Sequence, residues 1–263
     1  MNIKSDVLNK LRCEYGEAFY LLDAEQFRMN FLELKEAFSS IYSNFNIAYS
    51  YKTNYTPKLC KIVNELGGYA EVVSEMEAEL ALRIGVNPEN IIWNGPIKNF
   101  DILERFLVQG GTVNIDSMEE CHQIKKMTME HPDCVFHVGV RCNFDVKDGV
   151  LSRFGFDIDG NDFKEMLEFV CDAKNVKLMN LQCHFAKRQL EYWPSRAQGM
   201  LDLIDRIGII PERIDLGGGL FGKMEDSLKE QFSADIPCYE DYARASATLF
   251  AEHFKDMECK PQL

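Results

Sequence analysis

The stretch FNIAYSYK, residues 45–52, alternates between large apolar side chains and small or polar ones, as a β-strand with one buried face does. Two later stretches, CVFHVGVR at 134–141 and KLMNLQCHF at 177–185, have the same alternation. A parallel sheet covered by helices on both faces would instead be apolar nearly throughout. The pattern therefore favours a closed barrel with a polar interior over an open doubly wound sheet.

Short strand-like runs alternate with helical patterns along the whole chain, which predicts parallel strands joined by right-handed helical crossovers. The other strand candidates are 19–23, 70–74, 91–95, 112–116 and 213–219. Three helix starts are indicated, by Thr56 with Pro57 and by the capping-box spacings Ser74 to Glu77 and Ser117 to Glu120. Together these signals predict the (β/α)8 class of fold, a TIM-like barrel.

Composition narrows the classes of partner. The formal net charge of −13 argues against nucleic acid or an anionic membrane surface. No apolar run approaches the ~20 residues of a membrane span, and the N-terminus does not have the pattern of a signal peptide. The nine cysteines are scattered without metal-ligand spacing, so we expect no metal and a reducing, cytoplasmic location.

Lys52 is the first candidate for chemistry. By strand parity it points into the barrel at the carboxyl end of its strand, where barrel enzymes build active sites. Burial there would favour the neutral amine, which can attack an aldehyde to form a Schiff base. On strand position alone, a solvated lysine capping the strand end is the more common case.

The stretch IDLGGGLFG, residues 214–222, is the second candidate. Three consecutive glycines after a strand allow the backbone to curl and present several N–H groups to an anion. A tight turn between strand and helix is the alternative, but three glycines exceed what a simple turn needs. We therefore predict a phosphate-binding loop that includes Gly217, Gly218 and Gly219.

Other polar residues face the same interior or follow a strand end. These residues could together form a polar pocket. Alternatively, they could serve as interior salt-bridge partners, as solvated loop residues or, for Glu77, as a helix cap. The residues are Glu71, Glu77, Asp116, Arg141, Arg153, Asn180, Gln182, His184 and Asp215.

Five motifs occur in this order along the chain: YSYKTN, AEVVSEMEAELALRIGV, SRFGF, QCHF and IDLGGG. Their order and spacing resemble those of the pyridoxal-phosphate amino-acid decarboxylases of the alanine-racemase barrel type. The branch it resembles most is diaminopimelate decarboxylase, with ornithine and arginine decarboxylases more distant. The resemblance begins at Phe19 and runs over nearly the whole chain.

The resemblance implies the cofactor pyridoxal 5'-phosphate and a role for each matching residue. Lys52 would hold the cofactor as a Schiff base, and His184 would stack on its ring. The triple glycine, Gly217 to Gly219, would bind its phosphate. Glu71 and Arg153 match residues that lie near the site in relatives.

Two departures from the family pattern affect these expectations. The glycine-serine pair that follows the histidine in relatives is replaced by Ala186 and Lys187, so Lys187 or Arg188 is a candidate phosphate ligand instead. The chain also stops at KPQL, before the last barrel strand and the β-domain of relatives. We therefore expect residues 1–23 to be an arm and strand that pair with that missing domain, and residues 24–263 to be an incomplete barrel. Such a fragment should leave two strand edges unpaired, expose apolar surface and have little activity alone.

The implied function is decarboxylation of a basic or diamino amino acid such as diaminopimelate, by Schiff-base exchange at Lys52, in a protein that is a homodimer at full length. An amino-acid racemase of the same fold and a noncatalytic, regulatory cofactor-binding homologue are the alternatives. Carbon dioxide release would separate a decarboxylase from a racemase, which exchanges deuterium at Cα without losing the carboxylate.

Overall fold

The computed structural model describes residues 3–150, 152–232 and 235–263, in which strands and helices alternate. The strands are β1 Ala48–Ser50, β2 Tyr69–Val72, β3 Ile91–Trp93, β4 Thr112–Ile115, β5 Phe136–Asn143, β6 Phe156–Asp157, β7 Val176–Gln182 and β8 Arg213–Asp215. The α-helices are α1 Ser5–Tyr15, α2 Ala24–Ser39, α3 Pro57–Glu65, α4 Glu75–Arg83, α5 Phe100–Val108, α6 Met118–Glu130, α7 Asn161–Asp172, α8 Trp193–Ile207, α9 Asp226–Lys229 and α10 Tyr239–His253. None of the helices in these ranges combines the length and the apolar character that crossing a membrane requires.

The strands form one parallel sheet in the order β1-β2-β3-β4-β5-β7-β8, with β6 beside β5. Sequential order with helical crossovers is the topology of a TIM-like barrel. The sheet is curled as a partial barrel, which confirms the predicted fold class. Residues 19–23 belong to no strand in the structure, so the expected pairing of this segment with a further domain stays a prediction.

The alternation within strands also predicted the two faces correctly. Val138, Val140 and Leu181 are fully buried in the hydrophobic core. Gly139 lies on the opposite, interior face, where a Cβ atom would come within 1.9 Å of the Asn114 Oδ1 atom. The interior is thus filled by polar side chains, and the residue opposite Asn114 has to be a glycine.

The chain's last residues connect the two ends of the curled sheet. The Leu263 N–H donates to Asn44 O, and the Asn46 N–H donates to Leu263 O, each at 2.9 Å. Gln262 makes the corresponding bonds on the β8 side, accepting from the Ile214 N–H at 2.8 Å. We call residues 261–263 the clasp. Because of the clasp, the sheet edges are bridged at the amino ends of their strands, and the expectation of two unpaired edges is wrong there.

The two capping boxes form with one change. The Ser74 and Ser117 hydroxyls accept from the third helical N–H, as expected, at 3.3 and 3.4 Å. The Glu77 carboxylate, however, accepts from the Val73 N–H at 2.8 Å instead of from the cap residue itself. The partner residue of the second box, Glu120, likewise bonds to the N–H of the residue before the cap. Each glutamate therefore fixes the end of the preceding strand to the start of the helix.

Candidate active site

A cavity of about 810 Å³ opens at the carboxyl ends of the strands. Its wall is built by the turns and loops after β1, β5, β7 and β8 and by the interior face of the sheet, and it extends to Asn46 and Leu263 at the amino ends of the strands. Most of the residues predicted from the sequence line it, namely Lys52, Glu71, Arg141, Arg153, Asn180, Gln182, His184, Asp215, Gly217, Gly218 and Gly219. Segments distant in sequence therefore meet at one site, as their positions after parallel strands predicted.

Lys52 lies at this cavity but is not buried. The ladder of β1 ends at Ser50, and the chain turns there, with the Thr53 N–H donating to Ser50 O at 3.1 Å. Lys52 is consequently exposed at the cavity mouth, and the prediction that its amine is desolvated is wrong. The positive charge of Lys52 nevertheless favours the neutral form of His184 and the ionised form of Asp215, and so lowers the pKa of each group.

His184 follows β7 and faces residues 217–219 after β8, which we call the glycine loop. Burial, reinforced by the positive charges of Lys52, Arg141 and Arg196, lowers the pKa of its imidazole to about 4, so the ring is neutral at pH 7. The Gly218 N–H donates to its Nδ1 atom at 3.3 Å. Since Nδ1 accepts, the proton of the neutral ring sits on Nε2. A neutral imidazole of fixed orientation can stack on an aromatic ligand without adding charge.

The glycine loop has two left-handed residues, Gly217 at φ +70° and Gly219 at φ +96°. Not all its N–H groups are free, because the Gly217 N–H donates to the Asp215 carboxylate at 2.7 Å. The N–H groups of Gly219 and Leu220 donate to no other described residue. The part of the loop that can receive an anion is therefore its second half, and the predicted set of donors is smaller than three glycines suggested.

Asp215 is the acidic group closest to the loop. Burial raises the pKa of its carboxyl group to about 6, although the hydrogen bond from Gly217 lowers it. Asp215 therefore changes charge just below neutral pH.

Arg141, which lies in β5, lines the cavity and is held from behind by Asp116. The Arg141 Nη1 atom lies 3.1 Å from the Asp116 Oδ2 atom, and both side chains are largely buried. Asp116 also accepts from the Gly155 N–H at 3.2 Å, so it does not point into the cavity. Both Arg141 and the exposed Arg153 lie over the ring of Phe154, at 4.9 and 5.1 Å from its centroid. This arrangement presents two cations at the cavity wall.

Polar side chains under the cavity form a chain of amide contacts that sequence reasoning found only in part. The Asn94 amide donates to Glu71 at 3.1 Å, Asn114 donates to Asn94, and Asn180 donates to Asn114 at 3.1 Å. Asn94 and Asn114 were missed, although both stand at inward positions of the runs IIWNG and TVNID. The Asn180 Oδ1 atom and the Gln182 Oε1 atom are buried without a described partner, so the network has spare acceptors at the cavity.

Arg196 was also missed. It lies in the first turn of α8 and is fully buried. The sequence did carry a signal, because the buried side chains of α8 recur every three or four residues and Arg196 occupies one of these positions. Buried members of this face are Trp193, Arg196, Ala197, Met200, Leu201, Leu203 and Ile204.

These features fit pyridoxal phosphate. The site combines an accessible primary amine, a neutral imidazole, open backbone N–H groups for an anion and unpaired polar atoms beneath the cavity. Among the described residues, no group of three or more histidine, cysteine or acidic side chains is arranged to hold a metal ion.

Comparison with known proteins gives a family match over residues 25–263, to the pyridoxal-binding domain of the pyridoxal-dependent decarboxylases. Diaminopimelate decarboxylase of Methanothermobacter thermautotrophicus is 27% identical over 222 residues, covering 80% of this chain and 51% of the relative. Mouse antizyme inhibitor 1 is 27% identical over 201 residues, covering 74% of this chain and 43% of the relative. The chain thus spans about half the length of the curated relatives it matches.

Solved structures agree with this match. The structure of M. jannaschii diaminopimelate decarboxylase in complex with L-lysine superimposes with a TM-score of 0.83 at 23% identity, covering 97% of this chain and 61% of that one. At this identity the likeness establishes the shared fold.

Proposed function

Because this chain belongs to the pyridoxal-binding domains of the pyridoxal-dependent decarboxylases, we propose that it binds pyridoxal phosphate, the cofactor of this family, through Lys52. We further propose that it serves the decarboxylation of a basic or diamino amino acid. One observation carries the proposal. Lys52, His184 and the glycine loop, which are far apart in sequence, converge on one cavity at the carboxyl ends of the strands.

Each site residue has a proposed part in holding the cofactor. Lys52 supplies the amine that carries the cofactor aldehyde, and it is the one residue proposed as catalytic. His184 stacks on the ring from one side. Gly217, Gly218 and Gly219 form the loop that receives the phosphate, with the Gly219 N–H as its free donor. Glu71 and Arg153 are the remaining proposed cofactor contacts.

When bound, pyridoxal phosphate supplies a conjugated ring that accepts the electron pair of the bond to the departing carboxylate. The chain's own contribution is orientation and charge. Because the His184 imidazole is neutral, it adds no charge beside the cofactor ring. Arg141, held by Asp116, keeps a fixed positive charge at the wall of the cavity. Such a charge favours binding of a substrate carboxylate.

The substrate class rests on the relatives. The diaminopimelate decarboxylase matches and the L-lysine complex of one of them support a substrate with a second amino group. We further propose that the full-length protein is a homodimer, which light scattering on that protein would test.

Reductive labelling tests the cofactor part of the proposal. The 263-residue chain is incubated with pyridoxal phosphate, reduced with borohydride, digested and analysed by mass spectrometry. We expect the mass increase on the peptide containing Lys52, its loss in Lys52→Met, and its retention in Lys58→Met, where an exposed lysine at the start of α3 is removed. A label on other lysines only would contradict the proposal.

Product analysis tests the reaction part. The full-length protein is given carboxyl-labelled diaminopimelate, lysine, ornithine or arginine, and released carbon dioxide and deuterium exchange at Cα are measured. Release from one of these substrates, absent in Lys52→Met, is the expected result for a decarboxylase. Exchange without release would indicate a racemase.

A noncatalytic, regulatory cofactor-binding homologue is the second candidate, and the match to antizyme inhibitor 1, a relative named for a regulatory role, supports the regulatory part. This candidate predicts the label on Lys52 with neither carbon dioxide release nor exchange, in the full-length protein as well as in this chain.

A further inference from the structure

Arg196 joins the two loops that form the phosphate end of the proposed site. Its Nη1 atom donates to Gly218 O at 3.0 Å, in the glycine loop after β8. Its Nη2 atom donates to Phe185 O at 3.4 Å and also to Lys187 O, both in the segment after β7. One guanidinium thus holds backbone carbonyls of two separate loops, using the fixed fork of donors that only arginine has.

These contacts orient the neighbouring N–H groups. The carbonyl of Gly218 and the N–H of Gly219 belong to one planar peptide unit and point in opposite directions. Since Arg196 binds the carbonyl, the Gly219 N–H is directed away from the guanidinium. The same holds for Phe185 O and the Ala186 N–H. Both Gly219 and Ala186 line the cavity, and neither N–H donates to another described residue.

Arg196 also brings a positive charge that no carboxylate neutralises directly. In the part of the chain that the structure describes, no acidic side chain lies within salt-bridge distance of it. The rings of Trp193 and Phe185 flank it at 4.7 and 5.8 Å from their centroids, and Asp148 acts on it only through space. A fully buried cation without a paired anion is costly, so an anion arriving beside it gains unusually strong stabilisation.

The other cations of this region point elsewhere. The Lys187 Nζ atom lies over the ring of Tyr192 at 5.2 Å, and the Arg188 guanidinium lies over that of Phe221 at 5.9 Å. Neither residue lines the cavity. The position of Lys187 therefore gives no support to its replacing the missing serine as phosphate ligand, whereas the Arg188 Cγ atom lies 3.8 Å from where a Cβ atom on Gly219 would stand, so Arg188 stays a candidate.

We propose that Arg196 is the positioning residue for the phosphate of the cofactor: it aims the Gly219 and Ala186 N–H groups at the phosphate and supplies a buried positive charge behind them. The inference rests on the proposed function, because it takes pyridoxal phosphate as the ligand. It assigns to a helix residue the stabilisation that the segment Ala186–Lys187, without a hydroxyl side chain, does not provide.

The test compares two ligands that differ only in the phosphate. Dissociation constants for pyridoxal phosphate and for pyridoxal are measured by absorbance in wild type, Arg196→Met, Arg196→Lys, Lys187→Met and Arg206→Met. Arg206 is the matched control, because it is an arginine of the same helix whose side chain pairs with Asp159 at the surface. For Arg196→Met we expect about 30-fold weaker binding of pyridoxal phosphate or more, while pyridoxal changes by less than about threefold.

The remaining variants exclude simpler explanations. Arg196→Lys should recover part of the affinity for the phosphate ester, because it keeps the charge but not the fork. Lys187→Met and Arg206→Met should stay within about threefold of wild type for both ligands, as expected for cations screened by solvent. Equal losses of both ligands in Arg196→Met, or a selective loss in Lys187→Met instead, would overturn the assignment.

A measurement on the unchanged protein covers the case in which Arg196→Met does not fold. Inorganic phosphate is titrated into the ¹⁵N-labelled chain, and the amide resonances of Gly219 and Ala186 should shift together. If they do not move, Arg196 does not build a phosphate site. If they move but no label reaches Lys52 with pyridoxal phosphate, the phosphate site stands and the proposed cofactor attachment fails.

Discussion

Burial in the cavity favours the neutral forms of both His184 and Asp215, so it lowers the pKa of the imidazole and raises the pKa of the carboxyl group. The His184 pKa is lowered to about 4, so its contribution to stability is complete above the unfolded value near pH 6.5 and is lost as the pH falls toward 4. The Asp215 pKa is raised to about 6, so its contribution is complete below pH 4 and is lost as the pH rises toward 6. Between pH 4 and 6 the two effects offset each other.

Asp215→Asn should reveal this cancellation. The asparagine Oδ1 atom can still accept from the Gly217 N–H, but the cost of a buried charge disappears. We expect the free energy of unfolding to rise by about 1–3 kcal/mol at pH 7.5 and to be unchanged near pH 3.5, where Asp215 is protonated in wild type. Urea unfolding across this pH range measures it, and a difference independent of pH would contradict the explanation.

Two neighbouring glycines of the loop should respond differently to alanine. Gly217 has φ +70°, and a Cβ atom there would lie 2.4 Å from Cys183 O, whereas Gly218 has no atom within 4 Å of that position. Gly217→Ala should lower the unfolding free energy by at least about 2 kcal/mol, and Gly218→Ala should change it by less than about 0.5 kcal/mol. Similar losses in both variants would show that general loop flexibility, not the approach to Cys183, decides the choice of glycine.

Single residues were predictable where a local rule sets their direction. The two-residue period of a strand placed Asn180, Gln182 and His184 inside the barrel without any knowledge of the neighbours. The exposure of Lys52 was not predictable in this way, because the point at which β1 leaves the sheet depends on where its partner strand stops offering hydrogen bonds.

At the scale of elements, a buried ion pair joins the loop after β3 to the start of α6. The Lys98 Nζ atom lies 2.7 Å from the Glu120 Oε1 atom, and the side chains are 0% and 3% exposed. Lys98 also donates to Gly95 O and Asn114 O. This pair was not predictable from the sequence, since a lysine in a loop is ordinarily solvated and the capping-box pattern already explained Glu120.

Removing one member of this pair should be worse than removing both. Lys98→Met leaves the Glu120 carboxylate buried without its cation and should cost about 3–5 kcal/mol of unfolding free energy. Adding Glu120→Gln should recover part of that loss, because the remaining side chain is neutral. A double-mutant cycle by urea unfolding measures the coupling, and additive losses would indicate that the two residues act independently.

The existence of each strand and helix was predicted from the sequence more accurately than the residues at which it ends. Each of the seven predicted barrel strands overlaps a strand of the parallel sheet, and the cap residues Thr56, Ser74 and Ser117 precede helices as expected. The strand ends differ from prediction by up to four residues, because a strand persists only while the adjacent one pairs with it.

At the scale of the whole molecule, a buried hydroxyl adds to the backbone hydrogen bonds that hold the clasp. The Tyr42 hydroxyl group donates to Pro261 O at 2.7 Å, and its ring is 2% exposed. Tyr42→Phe leaves that carbonyl without this partner and should lower the unfolding free energy by about 1–2 kcal/mol.

Hydrogen exchange locates the effect of Tyr42→Phe. The amides of Asn46, Ile214 and Leu263, which make the clasp bonds, should exchange faster, while those of Val138 and Val140 in the centre of the sheet should keep their rates. Uniform acceleration across the sheet would indicate global destabilisation and no specific role for the hydroxyl.

The clasp also bears on the order in which this protein folds during synthesis. Tyr42 and Pro261 are 219 positions apart in the chain, so their contact carries a large loss of chain entropy and requires nearly all of the intervening helices and strands to be in place. A growing chain can pair β1 through β8 one after another as each leaves the ribosome, but the amino end of the first strand stays unbridged until residue 263 has emerged. During that interval the open edge is a template for pairing with another chain, so association between nascent chains competes with folding.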